Sequence, residues 1–374
     1  MGLEFIEGNE AIARGAMMAN CNFFAGYPIT PSSSILQYML SQLPRVGAVA
    51  IQAEDEIASI GMCIGAAMAG CKVLTATSGP GISLYSENIG LAVIGETPLV
   101  IVNVQRQGPA TGAATKGAEG DILFTRWCTS GGLPMIVLSP ANVAEAYELT
   151  YRAFNLAEQY RVPVFLLTNK EVSVTRESVD LEQVELPPLV DRRRATMDEQ
   201  YLPYRFEALH DVPEFSAIGD DRITRFTTSS HDEAGYLTSN PEEIQRMIDH
   251  YAAKVEDAGD DIALVKQDIE SGAEVLMISY GITSRSVAVA AKMMREQNRK
   301  VSVLTLQSLY PVPKAAINNA LAGIKKVVVP EMNTGQYIQE IERLAPTGVE
   351  VIGVNKMDTT LISPNEIIQG GGLL

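Results

Sequence analysis

Residues 98–104 read Pro-Leu-Val-Ile-Val-Asn-Val, and residues 162–168 read Val-Pro-Val-Phe-Leu-Leu-Thr. Runs this apolar and this short can hide both faces only inside a sheet that helices cover on each side. Stretches of helical periodicity supply the cover at 9–21, 33–43, 54–70, 82–95 and 142–160. Strand alternating with helix predicts a parallel α/β sheet over residues 1–177. The rhythm resumes with "AEVLMISYG", "KVSVLTLQSLYP", "KKVVVPEMN" and "VEVIGVNK", so residues 263–374 read as a second, smaller α/β domain. Between them, residues 178–262 show weak periodicity. They read as a connecting segment with little core of its own and one short hairpin. Asn9 is expected to cap the first helix, and Ser32 or Ser33 the second.

Ligands of a parallel sheet sit beyond the carboxyl ends of its strands. Three stretches fall there: "YPITPSS" (27–33), "TSGPG" (77–81) and "QRQGPATGAATKG" (105–117). They should therefore meet on one edge. In the first, Pro28 and Pro31 stiffen the backbone around Thr30. In the second, Ser78 and Gly79 present a hydroxyl and backbone amides. In the third, Arg106 ends a strand and suits a carboxylate held by two parallel bonds. The helix "AEDEIASIGMCIGAAMAG" carries Glu54, Asp55 and Glu56 at its start. Its glycines 61, 65 and 70 cost helix propensity and imply close approach to another helix or a ligand. Three acids opening a helix ordinarily serve the macrodipole; Glu56, nearest the close-packed surface, is the candidate proton handler.

Charge and cysteines narrow the class. A net charge of −16 disfavours sequence-independent nucleic-acid binding. Cys21, Cys63, Cys71 and Cys128 form no C-x-x-C pair, so no zinc or iron–sulfur site is expected on this chain. Reduced thiols and the lack of a secretory leader predict a cytoplasmic protein. No apolar run reaches the ~18–20 residues of a membrane span. "SYGITSRSV" is not G-x-G-x-x-G, which argues against a nucleotide-binding dehydrogenase. A lone His231 in "SSHDEAGY" reads as incidental.

In this order and spacing, "GYPITPSS", "EDEIASIGMCIGAAMAG", "TATSGPG" and "QRQGPATGAATKGAEGD" resemble the α subunits of the 2-oxoacid:ferredoxin oxidoreductases, most of all the 2-oxoglutarate enzymes. The resemblance implies a pyrimidine-binding-type parallel sheet domain for thiamine diphosphate and a transketolase-C-terminal-like second domain. It implies CoA-dependent oxidative decarboxylation of a 2-oxoacid, or the reverse carboxylation. A β subunit is implied to complete the active site with the diphosphate-binding domain, Mg²⁺ and a [4Fe–4S] cluster; γ and δ subunits are further candidates. This chain has no Gly-Asp-Gly of the Mg²⁺ motif and no cluster cysteines, as half a site should. Ferredoxin is expected to dock on another chain, because it is usually acidic as this one is.

By motif position, Glu56 is implied to bond N1′ of the aminopyrimidine, with Glu54 the runner-up. Tyr27, Pro28, Ile29, Ser78 and Gly79 are implied to complete the cofactor contacts. Thr30 and Arg106 would hold the 2-oxoacid, and Thr111 or Lys116 a distal carboxylate. One departure bears on substrate. "GPATGAAT" stands where the 2-oxoglutarate group usually has Gly-Pro-Ser-Thr-Gly-Leu-Pro-Thr, which leaves branched-chain 2-oxoacids and pyruvate open. A scaffold subunit that had lost its chemistry would be expected to lack Glu56, Arg106 or Thr30, and all three are present. "VVPEMNTGQ" (328–336) could face coenzyme A or the partner, and the residues do not decide which.

Overall fold

The first half of the chain contributes β1 (Glu4–Glu7), β2 (Phe23–Gly26), β3 (Val49–Gln52), β4 (Val73–Thr77), β5 (Leu99–Gln105), β6 (Ile136–Leu138), β7 (Pro163–Asn169) and β8 (Arg176–Val179). The second half contributes β9 (Val265–Asp268), β10 (Val275–Tyr280), β11 (Val301–Leu306), β12 (Ser308–Tyr310), β13 (Lys326–Glu331) and β14 (Glu350–Asn355). This computed structural model describes residues 2–196 and 201–373. Residues 197–200 of the expected connecting segment, and residues 1 and 374, lie outside the described residues.

One sheet runs β12-β6-β7-β5-β4-β2-β3, parallel throughout except for β12 against β6. Every residue of β4, β5 and β7 is buried, as their unbroken apolar runs require. The other sheet runs β14-β13-β10-β11-β9, with β9 antiparallel at its edge. A small antiparallel ribbon of β1 and β8 returns the chain to its N-terminus. Two hydrophobic clusters flank the sheets, and each draws side chains from both halves of the chain.

Residues 300–311 read as one strand in the sequence, yet the chain breaks at Gln307. β11 stays in the second sheet, while β12 crosses to the first, where Ser308 faces Leu138 and Tyr310 faces Val137. Apolar pattern alone cannot divide a run between two sheets, because both interiors accept it.

Neither Asn9 nor Ser32 makes a side-chain capping bond. Asn9 lies inside the helix Gly8–Met18 and is fully buried. Its Nδ2 donates to the Pro31 carbonyl at 2.8 Å and to Ser34 Oγ at 2.9 Å. Ser32 holds the N-cap position of the helix Ser33–Gln42, but its hydroxyl turns back to the Ile29 carbonyl at 3.0 Å. A buried amide must bond where partners are, and here they lie in the 27–34 corner, which both residues stiffen.

The connecting segment is better anchored than expected. Its antiparallel bridge of His231 with Leu237 is the short hairpin. Its grip on the rest of the molecule is mostly polar. Arg192 donates from Nε and Nη2 to the Glu158 carboxylate at 2.8 and 2.6 Å. The same guanidinium donates to the carbonyls of Ala67 and Cys71 at 2.8 and 2.7 Å. Small apolar clusters, Tyr204 with Phe206, Met247 and Tyr251, and Phe215 with Met68 and Ala217, complete it.

Candidate active site

The three strand-end stretches meet as their positions predict, because β2, β4 and β5 are neighbours in the sheet. Arg106 is the hinge of the cluster. Its Nη1 donates to the Thr30 carbonyl at 2.7 Å. A Cβ added to Gly79 would lie 3.6 Å from Arg106 Cγ. The Arg106 side chain therefore bonds the first loop and lies beside the second. Burial pulls it down from its ordinary pKa, and the charge of Asp121 works against that shift.

The acidic triplet divides its work. Asp55 is the N-cap of the helix Glu56–Met68, accepting the Ala58 N–H at 2.7 Å. Glu54 is exposed, whereas Glu56 is 8% exposed. The Glu56 carboxylate lies against Gly81: a Cβ there would come within 2.9 Å of Glu56 Oε1 and 2.1 Å of Thr77 Oγ1. Only a glycine admits that approach. Thr77 and Gly81 were not among the expected site residues, although both lie in the "TSGPG" stretch.

Four buried polar atoms along this edge have no hydrogen-bond partner: Thr77 Oγ1, Ser78 Oγ, Asn103 Oδ1 and Arg106 Nε. Buried polar groups are nearly always paired. Four unpaired ones beside a buried carboxylate make a site that a polar ligand completes. Its hydroxyls and carboxylate suit an aminopyrimidine, which both donates and accepts, and its guanidinium suits a carboxylate. The residues present fit thiamine diphosphate and a 2-oxoacid.

The remaining expected residues separate into two groups. Tyr27 and Ile29 are half-buried in the corner, with Pro28 and Thr30 exposed beside them. Thr111 and Lys116 are exposed in a loop folded on itself, where the Ala113 N–H donates to the Gln107 carbonyl at 3.0 Å and the Gln107 N–H to the Lys116 carbonyl at 2.9 Å. Among the described residues, neither side chain bonds to the Glu56–Arg106 cluster. Of the glycines noted on the Glu56–Met68 helix and just past its end, a Cβ on Gly70 would meet Arg194 Nη2 at 3.3 Å, whereas one on Gly61 or Gly65 would meet nothing within 4 Å among the described residues. Ile57 and Met62 on that helix are exposed as well.

His231 is structural. It is 1% exposed, and its ring nitrogens lie 2.9 Å from the Asp232 carbonyl and 3.1 Å from the Ile94 carbonyl, toward the amino end of β5 and away from the cluster. Missed by sequence reading was Asp121, whose Oδ2 accepts from Asn103 Nδ2 at 2.9 Å and whose N–H donates to Gln105 Oε1 at 2.9 Å. Burial raises the Asp121 carboxyl above its ordinary value, while Asn103 and then Arg106 oppose the rise. The 328–336 stretch faces residues 119–123 of this same chain. No helix among the described residues is long and apolar enough to cross a membrane.

Known proteins extend these observations. Residues 14–250 match the family described as pyruvate flavodoxin/ferredoxin oxidoreductase, thiamine diphosphate-binding, and residues 273–367 match pyruvate:ferredoxin oxidoreductase core domain II. The 2-oxoglutarate synthase subunit KorA of Methanocaldococcus jannaschii is 42% identical over 369 residues, 98% of each chain. The ketoisovalerate oxidoreductase subunit VorB of Methanothermobacter thermautotrophicus is 33% identical over 375 residues, 99% of this chain and 97% of that one. Among solved structures, the 2-oxoglutarate:ferredoxin oxidoreductase of Magnetococcus marinus, with 2-oxoglutarate, coenzyme A and succinyl-CoA bound, superposes with a TM-score of 0.90 at 29% identity. The match covers 98% of this chain, which spans 64% of that solved chain's length.

Proposed function

The chain belongs to the pyruvate flavodoxin/ferredoxin oxidoreductase family, and from that premise we propose that it is the α subunit of a 2-oxoglutarate synthase. The complex oxidatively decarboxylates 2-oxoglutarate with coenzyme A, yielding succinyl-CoA and CO₂, passes the electrons to ferredoxin, and can run in reverse as a carboxylase. The supporting observation is the contact of Arg106 with Thr30 and Gly79 beside the buried Glu56–Gly81 pair. Identity of 42% to a 2-oxoglutarate synthase subunit, against 33% to a ketoisovalerate one, favours the five-carbon substrate over branched ones.

In this reading residues 1–177 are the pyrimidine-binding domain, 178–262 the connecting segment and 263–374 the second domain. Thiamine diphosphate, when bound, supplies the carbon nucleophile and electron sink that decarboxylation of a 2-oxoacid needs. Glu56 holds the aminopyrimidine at N1′ and exchanges a proton there. Ser78, Gly79, Tyr27, Pro28 and Ile29 shape the rest of its seat. Arg106 grips the 1-carboxylate with Thr30 beside it, and Thr111 and Lys116 take the distal carboxylate. A β subunit brings the diphosphate site with Mg²⁺ and the [4Fe–4S] cluster, and ferredoxin docks on a chain other than this one. γ and δ subunits extend the complex, which works in the cytoplasm.

The test uses the chain co-purified with its partner. Ferredoxin reduction dependent on 2-oxoglutarate and coenzyme A is expected, and a 2-oxoacid panel should rank 2-oxoglutarate above pyruvate and 2-oxoisovalerate. Glu56→Ala should lower kcat by about 10²–10⁴-fold. Near-normal turnover in that variant would make Glu56 structural.

A further inference from the structure

Among the segments of the second domain that meet residues 119–123, one bonds the backbone on either side of Asp121. Around residues 119–123 the chain is tied to residues 332–336 by four hydrogen bonds. The Glu119 N–H donates to the Met332 carbonyl at 2.9 Å. Asn333 Nδ2 donates to the Glu119 carbonyl at 2.8 Å. Gln336 Nε2 donates to the Gly120 carbonyl at 2.7 Å, and its Oε1 accepts the Leu123 N–H at 3.0 Å. Asn333 is itself held, its Oδ1 accepting the N–H groups of Gly335 and Gln336 at 2.8 and 3.0 Å.

Asp121 stands in the middle of that span. On its other side it is fixed to β5, at Asn103 and Gln105, which the two-residue period puts on one face of the strand. Arg106 is the next residue after Gln105. No ion pair occupies the Arg106 fork among the described residues, so the Asp121 carboxylate stabilises the guanidinium from beyond pairing distance. A carboxylate bonded directly to the fork would compete with a substrate carboxylate; one held beyond pairing distance favours the charge without occupying the donors that the Thr30 bond leaves.

We infer that Asp121 is a positioning residue for Arg106, and that Asn333 and Gln336 of the second domain set it in place. The second domain is thereby part of the machinery that recognises the 2-oxoacid. This rests on Arg106 holding the substrate carboxylate, as in the function proposed above.

The experiment uses the co-purified complex and reads KM for 2-oxoglutarate against kcat. Asp121→Asn should raise KM by about ten-fold with kcat within about three-fold, and Gln336→Ala should raise KM by about five-fold. In an Arg106→Gln background, Asp121→Asn should add less than about two-fold, because the charge it acts on is gone. Asp121→Glu should recover part of the loss. Thermal melting of each complex separates folding defects from positioning, and Gln336→Glu, which keeps the acceptor for the Leu123 N–H, provides a milder second variant. Unchanged KM in folded variants, or equal factors with and without Arg106→Gln, overturns the inference. A wild-type complex that does not turn over 2-oxoglutarate overturns the proposed function instead.

Discussion

At the residue scale the site depends on one small side chain that motif reading passed over. Gly81 lets Glu56 and Thr77 meet, since a Cβ would overlap the Thr77 hydroxyl at 2.1 Å. Gly81→Ala is expected to displace the carboxylate and lower kcat by at least about 10²-fold, because small misplacements at reacting groups are costly. The melting temperature should also fall, since Gly81 is buried and the added methyl overpacks it, while the complex stays folded at assay temperature. Steady-state kinetics together with a melt distinguishes this from general unfolding. Glu56, Ser78 and Arg106 were legible because residue type and strand-end position point to them. Asp121 was not, since an acid in a glycine-rich loop carries no local sign of its distant partners. Asn9 and Ser32 show the converse: their types fit helix caps, yet a buried tertiary partner takes the Asn9 bond and the carbonyl three residues back takes that of Ser32.

At the scale of elements, the connecting segment is held by arginine. In its "DRRR" run, the Arg193 side chain is 73% exposed. Arg192 is only 4% exposed and joins Glu158, on the long helix Val143–Tyr160, to the end of the Glu56–Met68 helix. Arg192→Ala should cost about 3–5 kcal/mol, because it strands a buried carboxylate. Arg192→Lys should restore only part, having no fork for Glu158. Urea denaturation of the folded variants measures both. The main strands and covering helices of the first half were legible, where period and burial agree, but β1, β8 and the short helices Ile122–Arg126 and Lys170–Val174 were not. The split of residues 301–310 between two sheets was not, because both interiors select the same residue types.

At the scale of the whole molecule, the halves are joined by a buried carboxylate. Glu119 is 1% exposed and accepts from Asn169 Nδ2 at 2.7 Å and from Thr283 Oγ1 and the Ile282 N–H, both at 3.3 Å. Burial lifts its carboxyl from 4.5 to about 8, and the neighbouring Glu331 adds to the rise, while those three donors oppose it. A raised folded value means that the native state binds the proton more tightly than the unfolded chain does. The stabilisation is complete below 4.5, declines as pH rises toward 8, and is gone above it. Glu119→Gln should flatten that decline, so its advantage in melting temperature over wild type should grow between about pH 6 and about pH 8.5. Equal advantage across that range would show that Glu119 is charged throughout.

The sequence by itself determined the parallel sheet, the three strand-end stretches that must share an edge, and the acid, arginine and hydroxyls most able to work there. Those follow from periodicity and residue chemistry, which are local. Tertiary structure alone decided which acid is buried, which glycine makes room for it, and how Asn333 and Gln336 reach the backbone on either side of Asp121 from more than two hundred residues away. Long-range pairs leave no trace in a pattern, because each partner's type is compatible with many others until folding chooses one.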